Sequence, residues 1–437
     1  MFLPDYVRQC MDALESQGFA CYAVGGCVRD ALLGLTPHDY DLCTDAVPAQ
    51  LREIFSSHTL VLAGEKHGTV GVVTDGGVVE ITTFRTEGDY ADNRHPGWVN
   101  FETNIEADLS RRDFTVNAMA WSPTRGLADP FGGQQDLQNG ILRAVGEPSA
   151  RFTEDALRIL RGVRFAVRYH LQPEEHTLQA MFSHAPLLER IARERVFEEL
   201  CQFLLLATAE DLLHFQPILS QVIPELTPTV GFQQQNHHHI YDVFTHICYV
   251  TAAVPSELSL RWAALLHDIG KPDTFTVGED GEGHFYGHHQ ISAQLADGIL
   301  LRLKAPTALR EDVVFLISQH MNRPEADKKV LRRRISRWGQ ERLEKLLLLQ
   351  NADLSSKGVA GEPFPFEDIQ NILQQLLTEN SCLTLRDLDI DGHDLLALGI
   401  SGKAIGKCLN QLLDRVLNEE IPNEKSALLA EVRRIIP

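Results

Sequence analysis

The stretch Ala23–Asp45, AVGGCVRDALLGLTPHDYDLCTD, sets a glycine pair, an arginine, a proline break and two carboxylates within one short span. Gly25 and Gly26 close a β-like run, "ACYAVGG", and lead into the helix-period run "VRDALLGL". A glycine turn there lets backbone N–H groups approach an anion, with a helix N-terminus and Arg29 beside it. Asp39 and Asp41 are two residues apart, so on a strand both side chains leave one face, close enough to hold divalent cations between them. Such a pair must be neutralised, and Mg2+ suits it. Metal-bound carboxylates next to a phosphate-cradling turn are what two-metal phosphoryl or nucleotidyl transfer requires. Further on, alternation in "VVEITTFR" puts Glu80 on the face opposite its apolar neighbours, where it can serve as a third acid. A lone DxD or a lone GG is a common surface feature; it is their order and spacing together that point to a site.

Outward from this stretch, the first third of the chain alternates short β-like runs such as "GTVGVVTDGGVVEITTFR" and "LRAVG" with helical ones such as "AQLREIFSS". That predicts an α/β domain ending near Gly146. Beyond Pro148 helix-period sequence dominates, broken by loops around Pro224–His239, Asp273–Gly287 and Gly358–Phe366. The fold class expected is therefore α+β: an α/β head with a short mixed sheet, then all-α neck, body and tail, bounded at 1–146, 147–235, 236–360 and 361–437. A length of 437 residues favours several domains in series. No apolar run is long enough to span a bilayer, the N-terminal segment has no signal-peptide character, and the eight cysteines are scattered without a CxxC pair. A cytoplasmic location with reduced thiols follows as an expectation. The net charge of −20 argues against indiscriminate phosphate-backbone binding but leaves room for a local basic stripe.

The ordered motifs "GGCVRDALLG", "HDYDLCTD", "VEITTFR", "DLSRRDFTVNAMA", "DPFGGQQDL" and "RFTEDALRILRGVRFA" resemble those of the class II tRNA nucleotidyltransferases, the CCA-adding enzymes and bacterial poly(A) polymerases. The likeness runs from Tyr22 to about Leu200. It implies that Asp39 and Asp41 bind catalytic Mg2+ and that Glu80 is the third acid. It further implies that Gly25, Gly26 and Arg29 hold the triphosphate, and that Arg111, Arg112, Asp113 and Asn117 contact the sugar and phosphates of the incoming nucleotide. The loop "YADNRHPGWVNFETN" corresponds to the family's flexible segment near the active site.

In "EDALRILRGVRFAVR", Asp155 and Arg158 are three apart on an expected helix, so an acceptor-rich and a donor-rich side chain share a face able to read the edges of C and A. Periodicity alone favours an ordinary helix ion pair, whereas the resemblance makes this pair a protein template. Arg158, Arg161, Arg164 and Arg168 form a stripe whose mutual repulsion phosphate contacts would relieve. By resemblance Arg161 and Arg164 belong to the nucleotide pocket, and Arg195 to the helical motif that follows.

A second constellation lies downstream. His246, the adjacent His267 and Asp268 of "ALLHDIGKP", and Asp353 make an H…HD…D set. Imidazole with carboxylate suits Mn, Fe, Ni, Co or Zn. The pattern resembles an HD domain, a metal-dependent phosphohydrolase module, with Lys271 near a phosphate and His288, His289 and His320 where some members add ligands for a second metal. The "NHHH" run at 236–239 reads as a polar loop, and "DKKVLRRRISRWG" as the solvated face of an amphipathic helix rather than an RNA-binding patch.

The function expected from all of this is addition of C, C and A to the tRNA 3′ end from CTP and ATP, with tRNA as partner. The alternatives are poly(A) synthesis or A-only addition by the same motifs, an HD phosphohydrolase acting on RNA-end or nucleotide phosphoesters, and a non-catalytic RNA binder.

Overall fold

The computed structural model describes residues 2–88, 98–235, 240–279, 281–357, 364–378 and 382–435. The "NHHH" run and residues 90–97 of the loop expected at 90–104 lie outside them. The described chain divides into two compact units, one formed by residues 1–224 with 302–304, the other by the remainder.

The first unit opens with helix α1 (Asp5–Ser16), whose Val7, Cys10, Met11 and Leu14 are buried at helical spacing. Strands β1 (Cys21–Val24), β2 (Leu42–Thr44), β3 (Leu60–Val61), β4 (Thr69–Thr74) and β5 (Gly77–Thr83) follow in the chain, with helix α2 (Gly26–Leu32) between the first two. A hairpin of β6 (Arg85–Gly88) and β7 (Trp98–Phe101) stands apart as its own two-stranded sheet, so part of the segment expected as a loop is a strand. With β8 (Ala120–Ser122) and β9 (Gly126–Ala128) the main sheet has the order β3-β4-β5-β2-β1-β8-β9. Its β2–β5 pair is parallel and the rest antiparallel, so the sheet is mixed as expected. On β5, Val79, Ile81 and Thr83 are buried while Glu80 is exposed, the alternation that the sequence predicts.

Asp39 and Asp41 differ from the expected strand placement. The strand proper begins at Leu42, because β1 ends at Val24 and leaves no partner for the residues further back. The Asp41 carbonyl still accepts from the Val24 amide at 3.0 Å, which carries the ladder one residue beyond β2.

The neck of this unit is helical. The expected continuous helix around Asp155 is two: Pro148–Glu154 and Leu157–Arg168. Asp155 sits between them with φ −140° and ψ 101°, an extended backbone, and its Oδ1 accepts from the Leu157 amide at 3.0 Å. A two-residue parallel pairing of Ile141–Leu142 with Gln172–Pro173 ties the end of the α/β part to the neck.

In the second unit the helices Val243–Ala253, Leu258–Leu266, Thr307–Gln319 and Gln340–Ser355 pack on one another around buried residues that include Trp262, Leu316 and Leu349. The segment expected as a loop at 273–287 carries a small antiparallel hairpin, Phe275–Val277 with Gly283–Phe285. Further along, Leu331, Leu347, Leu373, Leu412 and Val432 belong to one apolar core. The basic helix Lys328–Trp338 buries Leu331 and Ile335. Three of its four arginines have partners within the protein: Arg332 with Glu419, Arg333 with Asn418, and Arg334 with Asn322 and the Trp338 ring. Among the described residues no helix is long and apolar enough to cross a membrane.

Candidate active site and metal centre

Gly25 turns the chain from β1 into α2 with φ +73°, a conformation that glycine adopts without steric cost. Its amide donates to the Met119 carbonyl at 3.0 Å, and an added Cβ would lie 2.8 Å from Arg112 Nη1. The turn is therefore pressed against a guanidinium. One step before the Leu42–Ile81 pair of the parallel β2–β5 ladder, Asp41 falls beside Glu80. Asp39, Asp41 and Glu80 are all solvent-exposed, and among the described residues none of the three is in an ion pair. The Asp41 carboxyl is raised above the ordinary carboxylate range, first by partial loss of water and then by the Glu80 and Asp39 charges, against the pull of Arg112. Three uncompensated carboxylates repelling one another at a surface form a hard-oxygen donor set that fits divalent cations.

Behind the turn the basic residues are spent on partners. Arg29, 6% exposed, donates to Asp30, to the Asn117 Oδ1 and to the Tyr169 hydroxyl, and its guanidinium lies 4.1 Å from the centre of the Tyr169 ring. Asn117 Nδ2 in turn donates to Asp113 Oδ1 at 3.1 Å, and Asp113 Oδ2 takes Arg161 Nη2 at 2.7 Å. Burial would raise Asp113, but Arg161 and Asn117 more than offset it and bring its carboxyl down to about 2. Four residues singled out in the sequence, Arg29, Asp113, Asn117 and Arg161, thus form one hydrogen-bonded chain.

Arg111 and Arg112 belong to a second network. Asp108 is fully buried and accepts from Arg111 Nη2 at 2.7 Å through Oδ1 and from Arg112 Nη2 at 3.3 Å through Oδ2. Arg111 also reaches Glu87 at 3.1 Å, and Glu87 pairs with Arg85. The structure does not bring Asp155 and Arg158 together as one helix face. Asp155 faces Arg195 at 3.5 Å; Arg158 is buried, with Glu154 at 2.8 Å and the Arg111 carbonyl at 2.9 Å. Nor does the arginine stripe need phosphate to relieve it, since Arg158, Arg161 and Arg164 each have a carboxylate partner, the last being Glu199 at 2.6 Å. Glu199 and Tyr169 escaped the sequence reading, for their partners lie on other elements and no local spacing marks them; Asp108 escaped it too, although its spacing of three and four to Arg111 and Arg112 is the local signal that could have found it.

The second cluster gathers ligands from five elements. His246 Nε2 lies 3.1 Å from Asp353 Oδ1 and 3.5 Å from Asp268 Oδ2, and His267 Nε2 lies 3.2 Å from the same Asp268 oxygen. His288 and His320 approach the other Asp268 oxygen at 3.3 and 3.9 Å. His289, also singled out, is not part of either ligand group. The ligand atoms of His246, His267 and Asp268 lie within 4.8 Å of one another, as do those of Asp268, His288 and His320. Each Nδ1 faces a backbone carbonyl: Ala264 for His267 at 2.8 Å, Phe285 for His288 and Ile317 for His320, both at 2.7 Å. A carbonyl only accepts, so Nδ1 carries the proton and the Nε2 lone pairs point inward. The His288 and His320 Nε2 atoms end up 3.2 Å apart, lone pair toward lone pair, and burial drives the His320 ring down to about 3. This donor set fits a transition metal ion. Lys271 touches Asp268 at 2.7 Å and Gln234 at 2.8 Å, and Arg323 touches Asp353 at 3.0 Å. Around them opens a cleft of about 250 Å³, lined also by His284, Tyr286 and Lys357.

Residues 21–143 match the model of the poly A polymerase head domain, residues 170–229 that of the probable RNA and SrmB-binding site of polymerase A, and residues 237–357 that of the HD domain. The CCA-adding enzyme of Streptococcus thermophilus is 32% identical over 99% of this chain and 98% of its own length, and that of Streptococcus mutans is likewise 32% identical, over 99% and 98%. The chain belongs to the CCA-adding enzyme family. Among solved structures, the Bacillus stearothermophilus CCA-adding enzyme in complex with CTP superposes with a TM-score of 0.71 at 26% identity, over 99% of this chain and 98% of that one. As a CCA-adding enzyme family member the chain is a nucleotidyltransferase, and the family resemblance and α+β architecture expected from the sequence are both borne out.

Proposed function

We propose that this nucleotidyltransferase adds C, C and A to the 3′ end of tRNA from CTP and ATP. The observation that carries the proposal is the meeting of Asp39, Asp41 and Glu80 beside the Gly25 turn and the Arg112 guanidinium, in a chain that shares almost its full length with CCA-adding enzymes. In this reading Asp39 and Asp41 would hold Mg2+ with Glu80 as the third acid, and the ions would supply Lewis-acid activation of the 3′ hydroxyl and offset the charge of the pyrophosphate. A P–O bond forms between the 3′ oxygen, whose proton passes to solvent, and the α-phosphorus as the bond from the α-phosphorus to the bridging oxygen breaks and pyrophosphate leaves. Gly25 makes the turn, its own amide being committed to the Met119 carbonyl, and Gly26 offers its backbone amide to the triphosphate, while Arg112, whose buried Nε lacks an acceptor, offers charge. Arg29 acts from behind, bracing Asn117 and so Asp113. Asp155, freed from helical backbone at the break, is assigned to the base with Arg161 and Arg164, while Arg158, buried against Glu154 and the Arg111 carbonyl, supports the pocket from behind. The head spans 1–146 and the neck 147–235 in this assignment, with the HD part at 236–360 and the tail at 361–437.

The test is addition to a tRNA ending before CCA, with CTP alone, ATP alone or both, resolved to single nucleotides. Two additions with CTP and a terminal A only when ATP is also present are expected. Addition of A alone, or long A tracts, moves the assignment to the sister activities. Asp41→Asn is expected to lower addition by about 10³-fold or more, the several kcal/mol that metal activation supplies, with its melting temperature unchanged because Asp41 is exposed.

The imidazole–carboxylate cluster supports a second activity, metal-dependent hydrolysis of an RNA-end or nucleotide phosphoester, with His246, His267, Asp268 and Asp353 as ligands of Mn, Fe, Ni, Co or Zn. Phosphate release that survives Asp41→Asn and disappears in Asp268→Ala is the expected signature.

A further inference from the structure

We propose that Asp108 is a positioning residue of the nucleotide site, acting through Arg112; this rests on the assignment of Arg112 to the triphosphate. Asp108 lies in the helix Ile105–Ser110, three and four residues before the arginines, and has no exposed surface. Its two oxygens are divided between neighbours in the chain. Oδ1 takes Arg111 through both Nε, at 3.0 Å, and Nη2, at 2.7 Å, while Oδ2 takes Arg112 Nη2 at 3.3 Å. A buried carboxylate that loses its cations is costly, and consecutive arginines without an anion between them repel, so the trio is set as a unit.

The division of oxygens has a directional consequence. With Nη2 anchored on Asp108, the other terminal nitrogen of Arg112, Nη1, is the one that lies against Gly25, 2.8 Å from where a side chain would begin. Arg112 Nε stays buried with no acceptor. The guanidinium therefore enters the glycine turn with its Nη2 held by Asp108 and 22% of the side chain exposed, where an anionic ligand can reach it. Arg111 is fixed twice, by Asp108 and by Glu87, and Glu87 carries the linkage on to Arg85 in β6. Among the described residues, three arginines share two carboxylates in this network, and Arg112 is the one whose charge acts on Asp41 of the site. Asp108 sets where that charge is placed.

The experiment is equilibrium dialysis of CTP against the full-length protein, with melting curves in parallel. Asp108→Asn keeps the shape and removes the charge. It is expected to weaken CTP binding about tenfold, the scale of one charge-assisted hydrogen bond. Arg112→Ala should weaken it at least as much, and the double variant Asp108→Asn/Arg112→Ala should bind within about twofold of Arg112→Ala, because Asp108 then has no guanidinium left to aim. CTP binding by Asp108→Asn within about twofold of the parent overturns the proposal, and so do losses that multiply in the double variant. If Asp108→Asn gives no cooperative melt, Asp108→Glu replaces it: the charge stays and the arginines shift, so weakened CTP binding with an intact melt supports positioning, and parental binding overturns it. Failure of the parent to extend tRNA would sink the CCA assignment and leave the dialysis result standing.

Discussion

Changing Asp113 to asparagine would leave Arg161 facing an amide where it now meets a carboxylate at 2.7 Å. The Asp113 carboxyl is held at about 2 in the folded chain, below its ordinary value near 4, so it stabilises the fold wherever it is ionised in the unfolded chain. That contribution is complete above about pH 4 and is lost as pH falls through about 2. The shift corresponds to about 2 kcal/mol at neutral pH. Urea titrations should therefore find Asp113→Asn less stable by about that amount at pH 7, with the gap to the parent narrowing at pH 3; a gap constant with pH would assign the loss to shape rather than charge. At this scale the sequence was only partly legible. Asp39, Asp41 and Glu80 are marked by spacing and alternation, both local properties. The partners of Arg161 and Arg164 are Asp113 and Glu199, 48 and 35 residues away, and no local pattern reports such pairs. Phosphate was therefore expected where carboxylates stand. Two acids were within reach of a helical rule, Glu154, four residues before its partner Arg158, and Asp108, three and four before Arg111 and Arg112.

The turn from β1 into α2 works as an element because its first residue has no side chain. Gly25→Ala meets two penalties, a φ of +73° and a Cβ 2.8 Å from Arg112. The first costs about 1–2 kcal/mol. The second pushes the guanidinium out of the turn, so KM for CTP should rise severalfold, while melting falls by only a few degrees. Unchanged KM with a lowered melt would separate the turn from the nucleotide. Elements of this part were readable where burial follows one period, as in β5 or α1. The break at Asp155 was not. Phe152, Ala156, Ile159, Leu160 and Val163 are all buried, so the apolar stripe runs on through the break, and one extended residue leaves the pattern intact. What the break changes is direction: Asp155 turns to Arg195, and Arg158 turns inward to Glu154 and Arg111, two side chains that a single helix would have set on the same face.

For the whole molecule, the HD cluster is the case where distant sequence converges. Its ligands run from His246 to Asp353, and the H…HD…D set was recognisable as a motif, with His288, His289 and His320 marked beside it; His288 and His320 join the cluster because their helix ends meet at Asp268, and His289 does not. Their Nε2 atoms, 3.2 Å apart with both Nδ1 protons committed to carbonyls, leave two lone pairs facing each other in a buried space. A cation removes that repulsion, so metal binding and folding of this unit are coupled. Dialysis against a strong chelator should lower the melting temperature, and readdition of Mn2+ or Zn2+ should restore it. Elemental analysis of the untreated protein should find a transition metal, reduced in His267→Ala and in Asp268→Asn. CCA addition in Mg2+ by these two variants should stay within about threefold of the parent, since Asp39, Asp41 and Glu80 belong to the other compact unit. Protein free of transition metal, with a melt indifferent to chelation and to added metal, would reduce the cluster to a buried hydrogen-bonded core. Loss of addition in the same variants would mean instead that the two units are coupled, and that the HD part serves nucleotide transfer.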